Sequence, residues 1–286
     1  MTIVAGRECV LGCDVSRWQG GINYGVFDLA FVVAKASGGD GGLYQDPKWQ
    51  DNAAGFLAVG KPLGCYHFAG RGDPVAEANF FSNAILNSPW ADAPSNLKLP
   101  PTLDAEWTNP HFGAGSADWS VRFLERVQER TGVKPNIYSA GWVGLEPDPR
   151  LLDYDFWLAA YVANPDQYPC APWGTDWVIW QYSSTGSVSG IAGNCDTDAA
   201  RADWFASVLS GGPTPPPPTP PTQESDMFIV KFPDQDMLWL YGVDRDGEFF
   251  WQIPSPEQIP PVDLETRLLA SGDDDLDARF HRVTGL

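Results

Sequence analysis

Residues 1–210 predict an α/β fold, an irregular (β/α) barrel of about eight strands, and residues 226–286 predict a small α+β domain. Three observations carry this. Short apolar runs alternate with amphipathic stretches through the first segment, the pattern of a parallel sheet covered by helices. Residues 211–225 read GGPTPPPPTPPTQES, and such a proline run adopts extended polyproline II at ~3.1 Å per residue, a semi-rigid spacer. Beyond it, three short apolar runs surround a tight-turn dipeptide, the signature of a hairpin-built sheet.

The elements follow in chain order. Apolar runs bounded by turn residues place strands at 9–16, 31–36, 62–69, 100–107, 135–140, 156–161 and 176–183, with a short one near Cys195. Helices are expected at 46–59, 74–87 and 117–131. The last reads ADWSVRFLERVQERTG. Its apolar residues are Trp119, Val121, Phe123, Leu124 and Val127, and Gly132 is a natural stop. Helical patterns fade after residue 150, so the barrel should be irregular in its C-terminal third. In the tail, MFIVKF, MLWLYGV and EFFWQI read as three antiparallel strands, with Asp246-Gly247 as a tight hairpin turn. Helices are expected in DLETRLLAS and DDLDARFHRV.

Composition narrows the function. The chain has 286 residues and a formal charge of -19. That field repels phosphate backbones and anionic membranes, which argues against nucleic-acid or membrane partners. No run reaches the ~18 apolar residues of a membrane helix. The start, MTIVAGRECV, lacks a basic segment followed by an apolar one, so no signal peptide is expected. The 13 Trp residues suit a sugar-binding cleft, although each by itself reads first as a packing residue. The five cysteines, Cys9, Cys13, Cys65, Cys170 and Cys195, lack zinc-site spacing. Reduced thiols are expected, with one structural disulfide as the alternative. Strand alternation turns Cys13, Cys65 and Cys195 away from the barrel axis, into the helix layer.

Two acids stand out in Leu103-Asp104-Ala105-Glu106-Trp107. On a strand, residues two apart share a face, with Cα atoms ~6.5–7 Å apart. Asp104 and Glu106 therefore point together, while Leu103 and Ala105 pack on helices. Charged groups facing a barrel interior are costly except at its open C-terminal rim, where barrel enzymes do their chemistry. Like charges this close push their pKa values apart. One acid can then remain protonated and serve as general acid while the other is ionised, the division of labour glycoside hydrolysis needs. Asp14 ends the first apolar run and Asp196 the last. A closed barrel makes those strands neighbours, so four acids should share one rim. Taken singly, each of these two aspartates also reads as a turn or cap residue.

In these residues the chain resembles the family 25 glycoside hydrolases, the Chalaropsis-type lysozymes common as phage endolysins. Asp14-Val15-Ser16-Arg17-Trp18-Gln19 is similar to the family's opening D-V-S-x-x-Q. Lys35-Ala36-Ser37-Gly38-Gly39 with Tyr44 and Asp46-Pro47 resembles its second-strand motif, and Gly64-Cys65-Tyr66-His67-Phe68 its G-x-Y-H-F. Asp104-Ala105-Glu106 matches the D-x-E. The runs at 135–139, 157–161 and 180–184 follow in order, and the likeness spans residues 9–208.

The resemblance implies an incomplete (β/α) barrel that cleaves the β-1,4 bond between N-acetylmuramic acid and N-acetylglucosamine in bacterial peptidoglycan, without a cofactor or metal. It implies Glu106 as general acid and Asp104 as the residue that steers the substrate's acetamido group. Asp14 and Asp196 would tune charge and hold substrate. Tyr66, Tyr138, Tyr161, Gln181 and Lys35 would contact the glycan. One departure is Asp198, where the family often has Asn. Another is the loop at 108–117, with Pro110 and Gly-rich turns, which would reshape substrate contacts.

Other constellations are weaker. His67 lies opposite Tyr66 in the strand alternation and reads as a packed histidine; His111 falls in a loop and His281 in the tail. No Ser/His/Asp triad or zinc amidase site emerges, and Asp244-Arg245-Asp246 lacks the remaining ligands of a calcium loop. A catalytically silent wall-binding protein on the same barrel is the alternative function, and an amidase or peptidase the third. For the tail, wall binding through Trp239, Phe249, Phe250 and Trp251, a purely structural aromatic core, and self-association through an edge strand all stay open. A lysin made in a host cytoplasm without a signal peptide, acting on the wall after release, fits the whole.

Overall fold

The computed structural model describes residues 2–70, 72–106, 115–143 and 145–211 in full, and beyond them the backbone of four strands. The chain divides into two compact units, Met1–Pro218 and Thr219–Leu286.

The first unit is built on one ten-stranded sheet among the described residues. Its strands are β1 (Thr2–Val4), β2 (Arg7–Val15), β3 (Phe31–Gly38), β4 (Tyr44–Gln45), β5 (Leu63–Phe68), β6 (Lys98–Asp104), β7 (Asn136–Ser139), β8 (Phe156–Ala159), β9 (Ile179–Gly186) and β10 (Cys195–Arg201). Eight of them run in the order β2-β10-β9-β8-β7-β6-β5-β3, and pairing of β2 with β3 closes the barrel. Closure leaves those eight strands without free edges. The short β1 and β4 hang antiparallel on β2 and β3.

The expected parallel sheet holds for seven of the eight barrel strands. Strands β2 to β9 pair in parallel around the wall, but β10 is antiparallel to both β9 and β2. The reason is the connection: only residues 187–194 separate β9 from β10. A parallel return needs a crossover of a dozen or more residues, whereas a short link permits only a hairpin.

Three helices cover the wall where the sequence expects them: α1 (Trp49–Ala58), α2 (Pro74–Leu86) and α3 (Ser116–Thr131). The Asp73 side chain caps α2 by accepting from the Ala76 N–H, with Pro74 in the first turn. Gly132 ends α3 in the left-handed conformation, φ 69°. A fourth helix, α4 (Ala202–Leu209), is one the sequence reading misses. Its eight residues are too few to display a clear period. Tertiary packing holds it: Trp204, Phe205, Val208 and Leu209 lie against the barrel interior, and the Phe205 and Phe31 rings are 5.6 Å apart.

Two apolar layers result. Inward residues including Phe31, Val33, Leu99, Tyr138, Trp157, Ile179 and Ala200 fill the barrel. Outward ones pack beneath the helices, among them Leu63, Leu103, Ile137, Phe156 and Leu158 with Trp49, Phe81 and Phe123. Burying each such side chain stabilises the fold by roughly 1.5–3 kcal/mol. Gly12 faces inward because Phe31 fills its space: a Cβ there would meet the Phe31 ring at 2.4 Å. Cys9, Cys13, Cys65, Cys170 and Cys195 are buried free thiols of the outer layer, as alternation predicts for Cys13, Cys65 and Cys195, and none is paired in a disulfide.

In the second unit, β11 (Phe228–Lys231), β12 (Leu238–Asp244) and β13 (Gly247–Ile253) form the expected antiparallel sheet. Asp244 pairs with Gly247, so the connection spans 245–246, one residue earlier than the expected Asp246-Gly247 turn. The helix expected in DLETRLLAS is replaced by β14 (Glu265–Leu268), which runs parallel to β11. Thr266 and Leu268 suit a strand, and four residues of pairing override a weak helical pattern. The helix expected in DDLDARFHRV, the proline run at 212–225 and the tail's aromatic side chains lie outside the described residues.

Candidate active site

The alternation that buries the cysteines outward turns every second residue of the barrel strands inward. At the C-terminal rim of the parallel strands this brings Asp14, Tyr66, Asp104, Glu106, Tyr138, Tyr161, Gln181 and Asp196 together around an open cleft of ≈ 150 Å³. All four expected acids line it. Lys35 does not. Its ammonium group lies over the rings of Phe68 (4.6 Å), Tyr44 (5.5 Å) and Tyr66 (5.9 Å), beside the cleft.

Two positions differ from the sequence reading. Strand β6 ends at Asp104, so Glu106 stands two residues beyond it on the loop. Asp196 is the second residue of β10, where it pairs opposite Asp14. It reaches the rim because β10 is antiparallel, which puts the start of that strand beside the ends of the others. Sequence reasoning also passes over Trp157 and Ser184, which complete the lining. Trp157 could have been found from its place two residues before inward Ala159. Residues 107–114, most of the loop singled out after the D-x-E, lie outside the described residues.

A line of hydrogen bonds crosses the cleft floor. Gln181 Nε2 donates to Asp14 Oδ2 at 2.8 Å. Gln181 Oε1 accepts from the hydroxyls of Tyr161 (2.9 Å) and Tyr138 (3.0 Å). The Tyr138 hydroxyl also lies 3.2 Å from Glu106 Oε2. One hydroxyl carries one proton. With Glu106 protonated, the bonds run in a single direction, from Glu106 through Tyr138 and Gln181 to Asp14. With Glu106 ionised, the Tyr138 proton turns to it. Deeper in the barrel, Trp157 Nε1 donates to Asp198 Oδ1 at 3.0 Å, while Asp198 Oδ2 is buried without a partner. Asp104 Oδ1 is likewise buried and unpartnered.

This clustering of acids shifts their titration. Burial raises Asp104 well above the usual carboxylate range, the Glu106 charge adds to that, and Lys35 opposes it. Burial raises Glu106 too; the Tyr138 bond and Lys35 pull it down, and Asp196 pushes it up. Asp14 is raised by burial and by Asp196, against the Gln181 bond. Burial raises Asp196, and it raises Asp198 with help from Asp14. The cleft therefore holds protonated carboxyl groups at pH values where surface acids have lost their protons. One such group donates a proton while a neighbour accepts, which suits acid–base cleavage of an acetal.

His67 is fully buried behind this wall. Its Nδ1 lies 2.8 Å from Ser37 Oγ and its Nε2 3.0 Å from Glu77 Oε2. It does not line the cleft, and it is the packed histidine that the alternation predicts.

An acid-lined cleft at the open end of a (β/α) barrel defines the class, a barrel whose rim is built for acid–base chemistry. Residues 13–191 match the family described as Glycosyl hydrolases family 25. Lysozyme M1 of Streptomyces globisporus is 30% identical over 209 residues, covering 65% of this chain and 66% of that protein. The chain thus spans just under two thirds of the length of that relative. A bacterial lysozyme structure from Streptomyces coelicolor is 26% identical with a TM-score of 0.58, covering 72% of this chain and 99% of that one. The catalytic domain of endolysin ply40, from a Listeria monocytogenes bacteriophage, is 27% identical with a TM-score of 0.56, covering 72% and 98%. The chain belongs to family 25 of the glycosyl hydrolases.

Proposed function

We propose that this chain is an N-acetylmuramidase, a peptidoglycan hydrolase that cuts the β-1,4 bond between N-acetylmuramic acid and N-acetylglucosamine. The single observation that carries the reading is the pair at the end of β6. Glu106 is raised by burial and poised against Tyr138, and beside it Asp104 has a buried oxygen with no partner.

In this reading Glu106 gives its proton to the glycosidic oxygen as that bond breaks. The substrate's own acetamido oxygen forms a bond to the anomeric carbon, and the Asp104 carboxyl group, which lines the cleft, orients the acetamido N–H. Water then opens the cyclic intermediate, and Glu106 takes a proton back. Asp14 and Asp196 hold the sugar, and Asp196 pushes Glu106 toward its protonated form. Tyr66, Tyr138, Tyr161 and Gln181 contact the glycan, and Lys35 acts on the acids by its field.

Likeness to a bacteriophage endolysin domain and the layout of barrel, proline run and small second unit support a further reading. The chain is a phage endolysin, made in the host cytoplasm and acting on the wall after release. Its residues 226–286 are then a wall-binding module.

Identification of the sugar at new reducing ends after digestion of purified sacculi tests the activity. Muramic acid is expected. Release of amino groups without new reducing ends would show an amidase or peptidase instead. Glu106→Gln is nearly isosteric and should fold normally while losing about 10²–10⁴-fold in rate; full lytic activity in that variant would remove Glu106 as the acid.

A further inference from the structure

The acid cleft leaves one feature of the same rim unused. Arg17 and Trp18 occupy the loop directly after β2, the two positions that the family's opening D-V-S-x-x-Q leaves open. The loop is held firmly. Gln19 Oε1 accepts from the Ser16 N–H at 2.8 Å, Ser16 Oγ accepts from the Trp18 N–H, and Asp46 Oδ2 accepts from the Arg17 N–H at 3.1 Å. From that base both side chains project into solvent. Trp18 is 78% exposed, an unusual state for so large an apolar ring. The Arg17 guanidinium lies over the Trp18 ring at 4.8 Å and toward Tyr44 at 5.8 Å.

The guanidinium is also unspent. Arg7, Arg122, Arg126, Arg150 and Arg201 each have a carboxylate partner, but none of the described ion pairs involves Arg17. Lys35, the other cation near the cleft, is turned onto aromatic rings. In a chain of charge -19 whose cleft is lined by acids, a carboxylate on the substrate is repelled by the cleft, and the exposed Arg17 guanidinium offers it a partner at the rim. Peptidoglycan carries such groups, on the lactyl arm of muramic acid once its peptide is gone, and on the stem peptide while it is attached.

We infer that Arg17 and Trp18 form a substrate subsite beside the acid cleft, in which Trp18 takes a sugar ring on its free face and Arg17 pairs with a carboxylate of the glycan strand. The inference rests on the muramidase reading and adds the direction in which the charged part of the substrate leaves the cleft. Arginine suits this because its planar fork meets a carboxylate in two hydrogen bonds while one face stays stacked on an aromatic ring.

The test is steady-state hydrolysis by the full chain and by Arg17→Gln, Arg17→Lys and Trp18→Ala on three substrates. These are glycan strands with stem peptides, strands stripped of peptides to free the lactyl carboxylates, and stripped strands whose carboxylates are methyl-esterified. The unaltered chain should favour a carboxylate-bearing strand over the esterified one by about fivefold in kcat/KM, through KM. Preference for the intact strands alone assigns the carboxylate to the stem peptide, and preference for the stripped strands assigns it to the lactyl arm. Arg17→Gln should abolish the preference, Arg17→Lys should retain part of it, and added salt should shrink it. Trp18→Ala should raise KM on all three substrates and leave their ratio alone. A wild-type ratio in Arg17→Gln, or no preference in the unaltered chain, overturns the inference. If no strand yields new reducing ends, the muramidase reading itself fails. Calorimetric binding of the same strands to Glu106→Gln, with and without Arg17→Gln, then still decides whether Arg17 reads a carboxylate.

Discussion

Tyr138 works against burial at Glu106. Its hydroxyl lies 3.2 Å from Glu106 and 3.0 Å from Gln181, so its single proton serves one or the other. Donation to ionised Glu106 lowers that carboxyl's pKa against the upward push of burial. A general acid works only while protonated, so activity should fall as pH rises through the raised Glu106 value. Tyr138→Phe removes the opposing bond, and the alkaline limb of the kcat/KM profile should move to higher pH; an unmoved limb would show that Glu106 does not govern it. Asp198 makes a second prediction. Its folded-state pKa is raised by burial, so its contribution to stability is present below the ordinary Asp range and is lost as pH rises through the folded value. Asp198→Asn should therefore stabilise the protein by roughly 1–3 kcal/mol at neutral pH, with the gain vanishing in acid. Melting temperatures measured across pH would show the gap opening as pH rises.

At the scale of elements, one buried carboxylate ties together β3, β5 and the loop into α2. Glu77 accepts from the Gly70 N–H at 2.6 Å and the Gly72 N–H at 2.8 Å, and His67 Nε2 lies at 3.0 Å. Its first partner stands beside Ala69, whose N–H donates to the Asp104 carbonyl at 3.0 Å. The fit is close. A Cβ on Gly39 or Gly70 would meet the Glu77 carboxyl at 2.4 Å, so both glycines are needed for space, not for backbone angle. Burial lowers the His67 pKa, and the neutral ring can donate from Nε2 to Glu77 while Nδ1 accepts from Ser37. Glu77→Ala leaves two buried donors unpaired, the Gly70 N–H and the His67 ring N–H, and should cost about 2 kcal/mol or more. Glu77→Gln keeps one acceptor oxygen and should recover part of that, as thermal denaturation of the two variants can measure.

For the whole molecule, the barrel contains its own core, its own cleft and its own closing helix, α4, before the proline run begins. A chain ending at Gly211 should keep the barrel's melting transition and its turnover of short soluble glycans. Loss of that transition on truncation would mean that the second unit supplies part of the barrel's stability. If residues 226–286 serve as a wall anchor, the truncated chain should lose retention on purified walls while keeping its rate on soluble substrate.

Much of this was legible in the residues because strand alternation is a local rule. It oriented Cys13, Cys65 and His67 outward and Asp14, Tyr66 and Asp104 inward before any tertiary contact was known. The D-x-E and the motifs around it named the acids, and the proline run marked the division of the chain. Three matters belonged to the tertiary structure. The antiparallel direction of β10 follows from its short connection and carries Asp196 to the rim by the opposite end of its strand. The short helix α4 exists because the barrel's open base offers Phe31 and its neighbours to pack on, a partner that no local pattern displays. The bond line from Asp14 through Gln181 and Tyr138 to Glu106 joins three strands and the loop after β6, all far apart in sequence, so only closure of the barrel could bring its members within reach.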